Sequence, residues 1–182
     1  SLPSERTATS ASAGSYHTCA VLDDASLYCW GNNGNGRLGD GTTTDSNTPV
    51  AVSLPSGRTA VSVAAGYAHT CAVLDDGSAY CWGYNIDGQL GDGTITSSST
   101  PVQVSLPSGR TASSVSAGAN YACAVLDDSS LYCWGDNSYG QLGIGSTTDS
   151  FTPVAVSLPS GRTVDSVAAG GEYHTCAVLD DA

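Results

Sequence analysis

The 182-residue chain has no Met and no Lys, a single Phe, and 2 Glu against 15 Asp. Glu, Lys and Met favour helices, so their scarcity excludes a helical bundle. Five Arg are the only permanent cations, and the formal charge is −12. Polyanion binding is driven by clustered Lys and Arg, so nucleic acid is not an expected partner. No apolar run reaches the roughly 18 residues a helical membrane span requires, and no membrane insertion is expected. The opening Ser1-Leu2-Pro3-Ser4 is neither an initiator Met nor a signal peptide, so the natural polypeptide is expected to have an upstream segment.

What the chain does have is 22 Gly, 7 Pro and 40% hydrophobic residues. Gly, Pro and Asp favour tight turns, and the apolar fraction is sufficient for a core. Short strands joined by many turns are therefore expected. Ser-Leu-Pro-Ser recurs at Ser1, Ser53, Ser105 and Ser157, a period of 52 residues. Arg6, Arg58, Arg110 and Arg162 keep the same phase, as do Trp30, Trp82 and Trp134; Gly171 is an extra residue in the last copy. The units are 1–52, 53–104, 105–156 and the half unit 157–182.

Unit two reads as four strands: Ala60 to Ala65, His69 to Leu74, Ser78 to Trp82 and Pro101 to Val104. The unbroken apolar run Cys71 to Leu74 implies a strand covered on both faces. A four-stranded unit stacked between copies of itself is a β-propeller blade. The motif from Ala65 to Thr94, with its core His-Thr-Cys-Ala-Val-Leu-Asp-Asp-Gly-Ser, Tyr-Cys-Trp-Gly and Gly-Gln-Leu-Gly-Asp-Gly-Thr segments, resembles the regulator of chromosome condensation (RCC1-like) repeat. The resemblance covers the whole chain. It implies an all-β, seven-bladed propeller, of which this chain is about 3.5 repeats, and a family of mostly protein-binding platforms. Two copies would supply eight of each of the first two strand types but only six of each of the others, so the polypeptide is expected to continue past Ala182.

Cys19 and Cys29, Cys71 and Cys81, and Cys123 and Cys133 are each ten residues apart, while a partner for Cys176 would fall at position 186. That spacing fits no zinc or redox motif. A disulfide across each hairpin is the favoured reading, and buried free thiols are the alternative. The disulfide requires an odd loop. Three residues, Asp75-Asp76-Gly77, put Cys71 opposite Cys81, with Gly77 suited to a left-handed conformation that Ala25 and Ser129 adopt less readily. Such bridges point to an oxidising compartment, so an extracellular or cell-surface location is expected.

His17, His69 and His174 share one phase, with Tyr121 there in the third unit, and a residue that recurs from blade to blade reads as scaffold. The paired carboxylates Asp23-Asp24, Asp75-Asp76, Asp127-Asp128 and Asp180-Asp181 read as turn chemistry. Gly34 to Gly39 matches Gly-x-Gly-x-x-Gly by letter, but no helix follows to present its amino terminus to a phosphate. No catalytic constellation, metal site or cofactor is expected. Function is then expected where units differ, after each Trp-Gly and in the Ser/Thr loops. Tyr84, Ile86, Asp87, Tyr139 and Phe151 are the candidate binding residues, four of them apolar or aromatic in polar loops. Two roles fit: a non-enzymatic scaffold binding a protein or glycan partner, or a structural repeat that self-assembles into a filament or very long surface protein.

Overall fold

A computed structural model describes residues 2–180. Ser1 and the Asp181 of the last carboxylate pair lie outside the described residues. Among these residues there is no helix; fourteen strands form four antiparallel sheets. The first sheet contains β1 (Ala8–Ala13), β2 (His17–Leu22), β3 (Leu27–Gly31) and β4 (Ser46–Ala51) in sequence order. The second contains β5 (Ala60–Ala65), β6 (His69–Leu74), β7 (Ala79–Gly83) and β8 (Ser98–Gln103). The third contains β9 (Ala112–Ala117), β10 (Tyr121–Leu126), β11 (Leu131–Gly135) and β12 (Ser150–Ala155). The fourth pairs β13 (Val164–Gly170) with β14 (His174–Leu179). Each sheet is a meander whose first strand packs against the first strand of the next sheet, so β1, β5, β9 and β13 line the inside of an arc of three and a half propeller blades.

The second strand of each unit shows why the apolar run is continuous. Every residue of β6 and β10 is buried, because each of these strands has a sheet against both faces. In β14, where one face has no sheet over it among the described residues, the same His-Thr-Cys-Ala-Val-Leu sequence is exposed or half-buried throughout. Cores form between sheets. Val21, Leu27 and Leu38 of the first unit meet Ala72, Leu74 and Trp82 of the second. The next seam repeats this with Val73, Leu90, Leu126 and Trp134.

Hairpin register follows the odd loop. Cys71 lies opposite Cys81, and the Leu74 amide donates to the Ser78 carbonyl at 2.9 Å. Cys19–Cys29, Cys71–Cys81 and Cys123–Cys133 are disulfides, with Cα separations of 4.1, 4.1 and 4.0 Å; Cys176 is a free, exposed thiol. Gly77 has φ 75°, and Ala25 and Ser129 take the same left-handed conformation at φ 61°. The turn is thus common to all three hairpins, at a cost of about 1 kcal/mol where a β-carbon is present.

The first two seams are each fastened by a tryptophan. The Trp82 indole is fully buried and donates to the Arg37 carbonyl at 2.9 Å; Trp134 repeats this with the Gln89 carbonyl at 3.0 Å. Gly39 makes room for the ring: its φ is 70°, and an added β-carbon would stand 2.6 Å from the Trp82 indole. Other ties alternate. Ser12 Oγ accepts from the Ala65 amide at 3.0 Å, and Ser116 Oγ from the Ala169 amide at 2.9 Å, but the intervening unit has Ala64 in that place. Likewise His17 Nε2 meets Thr70 Oγ1 at 2.7 Å, whereas the residue in the position of Thr70 at the next seam is Ala122, which has no hydroxyl to offer His69.

Candidate functional site

The meander gives the arc two unlike faces. Hairpin tips between second and third strands share one face with the segments that lead into each unit. There the phased Arg residues are clamped by the paired carboxylates: Arg6 reaches Asp24 at 2.9 Å, Arg58 reaches Asp76 at 2.8 Å and Arg110 reaches Asp128 at 2.5 Å, each with a longer contact to the preceding Asp. Arg162 meets Asp180 at 3.7 Å. Each second Asp also accepts from the Ser two residues on, through its amide and hydroxyl. Those serine bonds hold the carboxyls of Asp24, Asp76 and Asp128 below their ordinary range. Among the described residues, no exposed aromatic side chain lies on this clamp face.

The opposite face combines the turns between first and second strands with the loops that follow each Trp-Gly. Backbone bonds join the two sets: the amides of Asn32, Tyr84 and Asp136 each donate at 2.9 Å to the carbonyls of Tyr16, Ala68 and Asn120. This turn face holds the exposed aromatics Tyr16, Tyr67, Tyr139 and Tyr173, with Phe151 at its outer edge. Tyr16 and Tyr67 meet edge to face at 5.2 Å, and Tyr139 and Tyr173 lie tilted at 4.4 Å. Aromatic pairs held in such geometries present large rigid surfaces at little entropic cost.

The five residues singled out all lie on this side, but Phe151, expected in a loop, is the second residue of β12, because the outer strand begins before its apolar part. Tyr84 is half-buried in a cavity with Tyr16 and Tyr67. Ile86 projects into solvent at 55% exposure. Asp87 is pushed above its ordinary pKa by burial and by the charges of Asp136 and Asp149 in the next unit. Tyr139, 69% exposed, stands over the third seam through Tyr173, and Phe151 packs over Gly88 at the second. They are therefore spread along one face across three seams, not gathered into a single pocket.

Sequence reasoning missed Tyr16, Tyr67, Tyr173 and Arg37. A signal existed for each. Positions 15 and 16 differ in every unit (Ser15-Tyr16, Tyr67-Ala68, Ala119-Asn120), Gly171 inserts at the same turn, and Arg37 replaces the Gln of the Gly-Gln-Leu-Gly segment. Arg37 is 5% exposed. Its Nη1 donates to the Tyr67 carbonyl at 3.2 Å, and its guanidinium lies 5.9 Å from the centre of the Tyr16 ring. Its own carbonyl is held by Trp82 and by Thr70 Oγ1 at 2.8 Å. Because the Thr70 proton goes to that carbonyl, His17 Nε2 must donate to Thr70, which fixes His17 as the neutral Nε2–H tautomer. Burial, with Arg37 and His69 nearby, holds His17 down to about 3; burial holds His69 down to about 4. Both are structural groups, buried and uncharged at neutral pH.

The asparagines of the Gly-x-Asn segments are scaffold as well. Asn33, Asn85 and Asn137 are fully buried, and the Oδ1 of each accepts at 2.9 Å from the amide of the Leu five residues on. Asp40 and Asp92 support them by accepting from Thr42 and Thr94, so these carboxylates serve their own loops. Among the described residues no group of three or more metal-ligating side chains forms, and no helix is long and apolar enough to cross a membrane.

Comparison with known proteins agrees with this geometry. The family described as "Regulator of chromosome condensation (RCC1) repeat" matches residues 24–73, 76–125 and 128–178, and a second description of the same repeat matches 8–37, 60–89 and 112–141. The ultraviolet-B receptor UVR8 of Arabidopsis thaliana is 37% identical over 168 residues, covering 92% of this chain and 38% of the receptor. The crystal structure of human WBSCR16 superimposes with a TM-score of 0.87 at 23% identity, over 98% of this chain and 46% of that one. Prp20p of Saccharomyces cerevisiae gives a TM-score of 0.79 at 23% identity, over 90% and 42%. The chain thus spans less than half the length of these proteins.

Proposed function

The chain belongs to the regulator of chromosome condensation (RCC1) repeat family and folds as part of a β-propeller scaffold; from that premise we propose that it is a non-catalytic binding module that engages a protein partner through its turn face. One observation carries the reading: among the described residues the exposed aromatic side chains gather on the face where the units differ, and none lies on the face of repeated Arg–Asp clamps. Exposed aromatics in polar surroundings are the usual anchors of protein interfaces. Prp20p has binding properties to Gsp1p and histones, so the fold accommodates that role. A charge of −12 favours a neutral or basic partner surface.

The location we propose is extracellular or at the cell surface. Three disulfides, one per complete hairpin, support it, since such bridges persist where thiols are not kept reduced.

The test is the double variant Tyr84→Ala, Tyr139→Ala, compared with the unaltered chain by cross-linking to secreted proteins of its source and by sedimentation. Loss of a cross-linked protein with the melting temperature unchanged is expected. Loss of self-association instead would favour a filament, and loss of a carbohydrate ligand would favour glycan recognition; either would replace the protein-binding reading.

A further inference from the structure

Arg37 occupies the place of Gln89 and Gln141 in the following units. Those glutamines close their own loops. Gln89 Oε1 accepts the Asp87 amide at 2.9 Å, Gln141 Oε1 accepts the Tyr139 amide at 3.0 Å, and Gln141 Nε2 donates to Asp136 Oδ2 at 2.8 Å. A guanidinium has no acceptor and cannot make the first of these bonds, so Arg37 turns towards Tyr67 of the next unit. The carboxylates of the other units are also missing around it: Asn35 stands in the place of Asp87, and Asn32 in that of Asp136.

The result is a cation with no carboxylate in contact with it, Asp45 acting only from a distance. Arg6, Arg58, Arg110 and Arg162 are each paired with Asp, but among the described residues Arg37 makes no ion pair. The nearby Asp45 accepts from the Asn32 side chain and the Asn33 amide. Arg37 is almost wholly buried, and its Nε has no hydrogen-bond partner. It lines a cavity of about 580 Å³ whose other walls include Tyr16, Tyr67, Tyr84, Asn35 and Asn120. A buried charge without a counter-ion in contact is costly, and a carboxylate that brings two oxygens to the guanidinium lowers that cost.

We propose that this cavity is a carboxylate site that receives an Asp or Glu side chain of the protein partner, a reading that rests on the turn face being a protein-binding surface. The chain's own charge repels acidic surfaces as a whole, so the carboxylate is a single anchor on a surface otherwise neutral or basic. The tyrosines shield the pair from water, and the anchor fixes the register of the partner on the face.

The test uses a side-chain mimic. N-acetylglutamate N-methylamide is titrated into the ¹⁵N-labelled protein at constant ionic strength, beside the neutral N-acetylglutamine N-methylamide and N-acetylalanine, whose only charge is a chain-end carboxylate. Saturable movement of the Arg37 Nε–H resonance and the Tyr16, Tyr67 and Tyr84 rings is expected for the glutamate mimic, with at least tenfold weaker response to the neutral amide. Arg37→Gln restores the residue of the other units; it should melt no lower than the unaltered chain and lose the response, and Tyr16→Ala should weaken it severalfold. No saturable shift, or an equal response to the neutral amide, would overturn the site, and tighter binding of N-acetylalanine would overturn the side-chain assignment. The two readings fail separately. A partner still captured by a chain that ignores the glutamate mimic sinks only the carboxylate site, whereas glutamate binding in a chain whose double tyrosine variant loses no protein sinks the protein-binding role.

Discussion

The two faces of the arc are built by the same fourteen strands and obey different rules. On the clamp face, one solution is written three times over, with Arg6, Arg58 and Arg110 each held by a carboxylate pair and each second carboxylate tied to a serine. On the turn face, the corresponding positions hold Tyr16, Ala68, Asn120 and Tyr173, and the loops beside them hold Asn32, Tyr84 and Asp136. The difference is one of constraint. Hairpin tips must set the register that brings Cys71 opposite Cys81 and lead the chain into the next unit. The turns need only reverse direction, so their side chains are free to serve something outside the fold.

Three measurements would break or sharpen this contrast. The largest effect is expected from Trp82→Ala, which removes a fully buried ring from the seam under both faces and should cost about 3–5 kcal/mol in urea denaturation. Amide exchange should rise on both faces together; protection kept on one face would show that the faces fold independently.

Acid should then separate them. His17 and His69 are held down to about 3 and about 4 by burial, against about 6.5 in an unfolded chain. The unfolded chain takes up protons first as pH falls, so the stability held by neutral histidines is full above about 6.5 and is lost on descending towards these lower values. At pH 5 the loss should be about 2 kcal/mol per histidine, at about 1.36 kcal/mol per pH unit. The clamp carboxyls of Asp24, Asp76 and Asp128 are held below their ordinary range and stay charged there. Exchange at pH 5 should accordingly rise first at His17, Thr70 and the turns beside them; equal loosening at the hairpin tips would contradict the asymmetry. The smallest effect is expected from Arg58→Ala. The side chains of Arg58 and Asp75 are each 41% exposed and that of Asp76 33%, so removing the arginine should cost less than about 1 kcal/mol by thermal melting and leave partner capture unchanged.

Much of the scaffold is legible in the chain because the repeat multiplies every signal. The period, the second strands His69–Leu74 and its copies, and the odd hairpin loop all follow from apolar runs and cysteine parity. The outer strand is less legible: β8 begins at Ser98, three residues before the apolar Pro101-Val102, because it pairs with Gly83 through its backbone and has an exposed side that needs no hydrophobic alternation. The turn face is half legible. Tyr84 and Tyr139 stand out in their loops, but Arg37 and Tyr67 belong to different units, and their meeting depends on the curvature between sheets, which no local pattern encodes.

The alternation of small side chains along the inner strands gives the molecule a mechanical grain. The seams on either side of the second and third sheets are riveted by Ser12 and Ser116, by His17 with Thr70, and by Thr175 donating to the Gln141 carbonyl at 2.7 Å. The seam between those sheets has Ala64 and Ala122 in these places and holds by Trp134, apolar packing and backbone contacts. Such packing slides under shear more readily than directional bonds do. A chain pulled from its ends is therefore expected to part first at this middle seam, with the first and second sheets extending as one unit and the third sheet with the β13–β14 pair as the other.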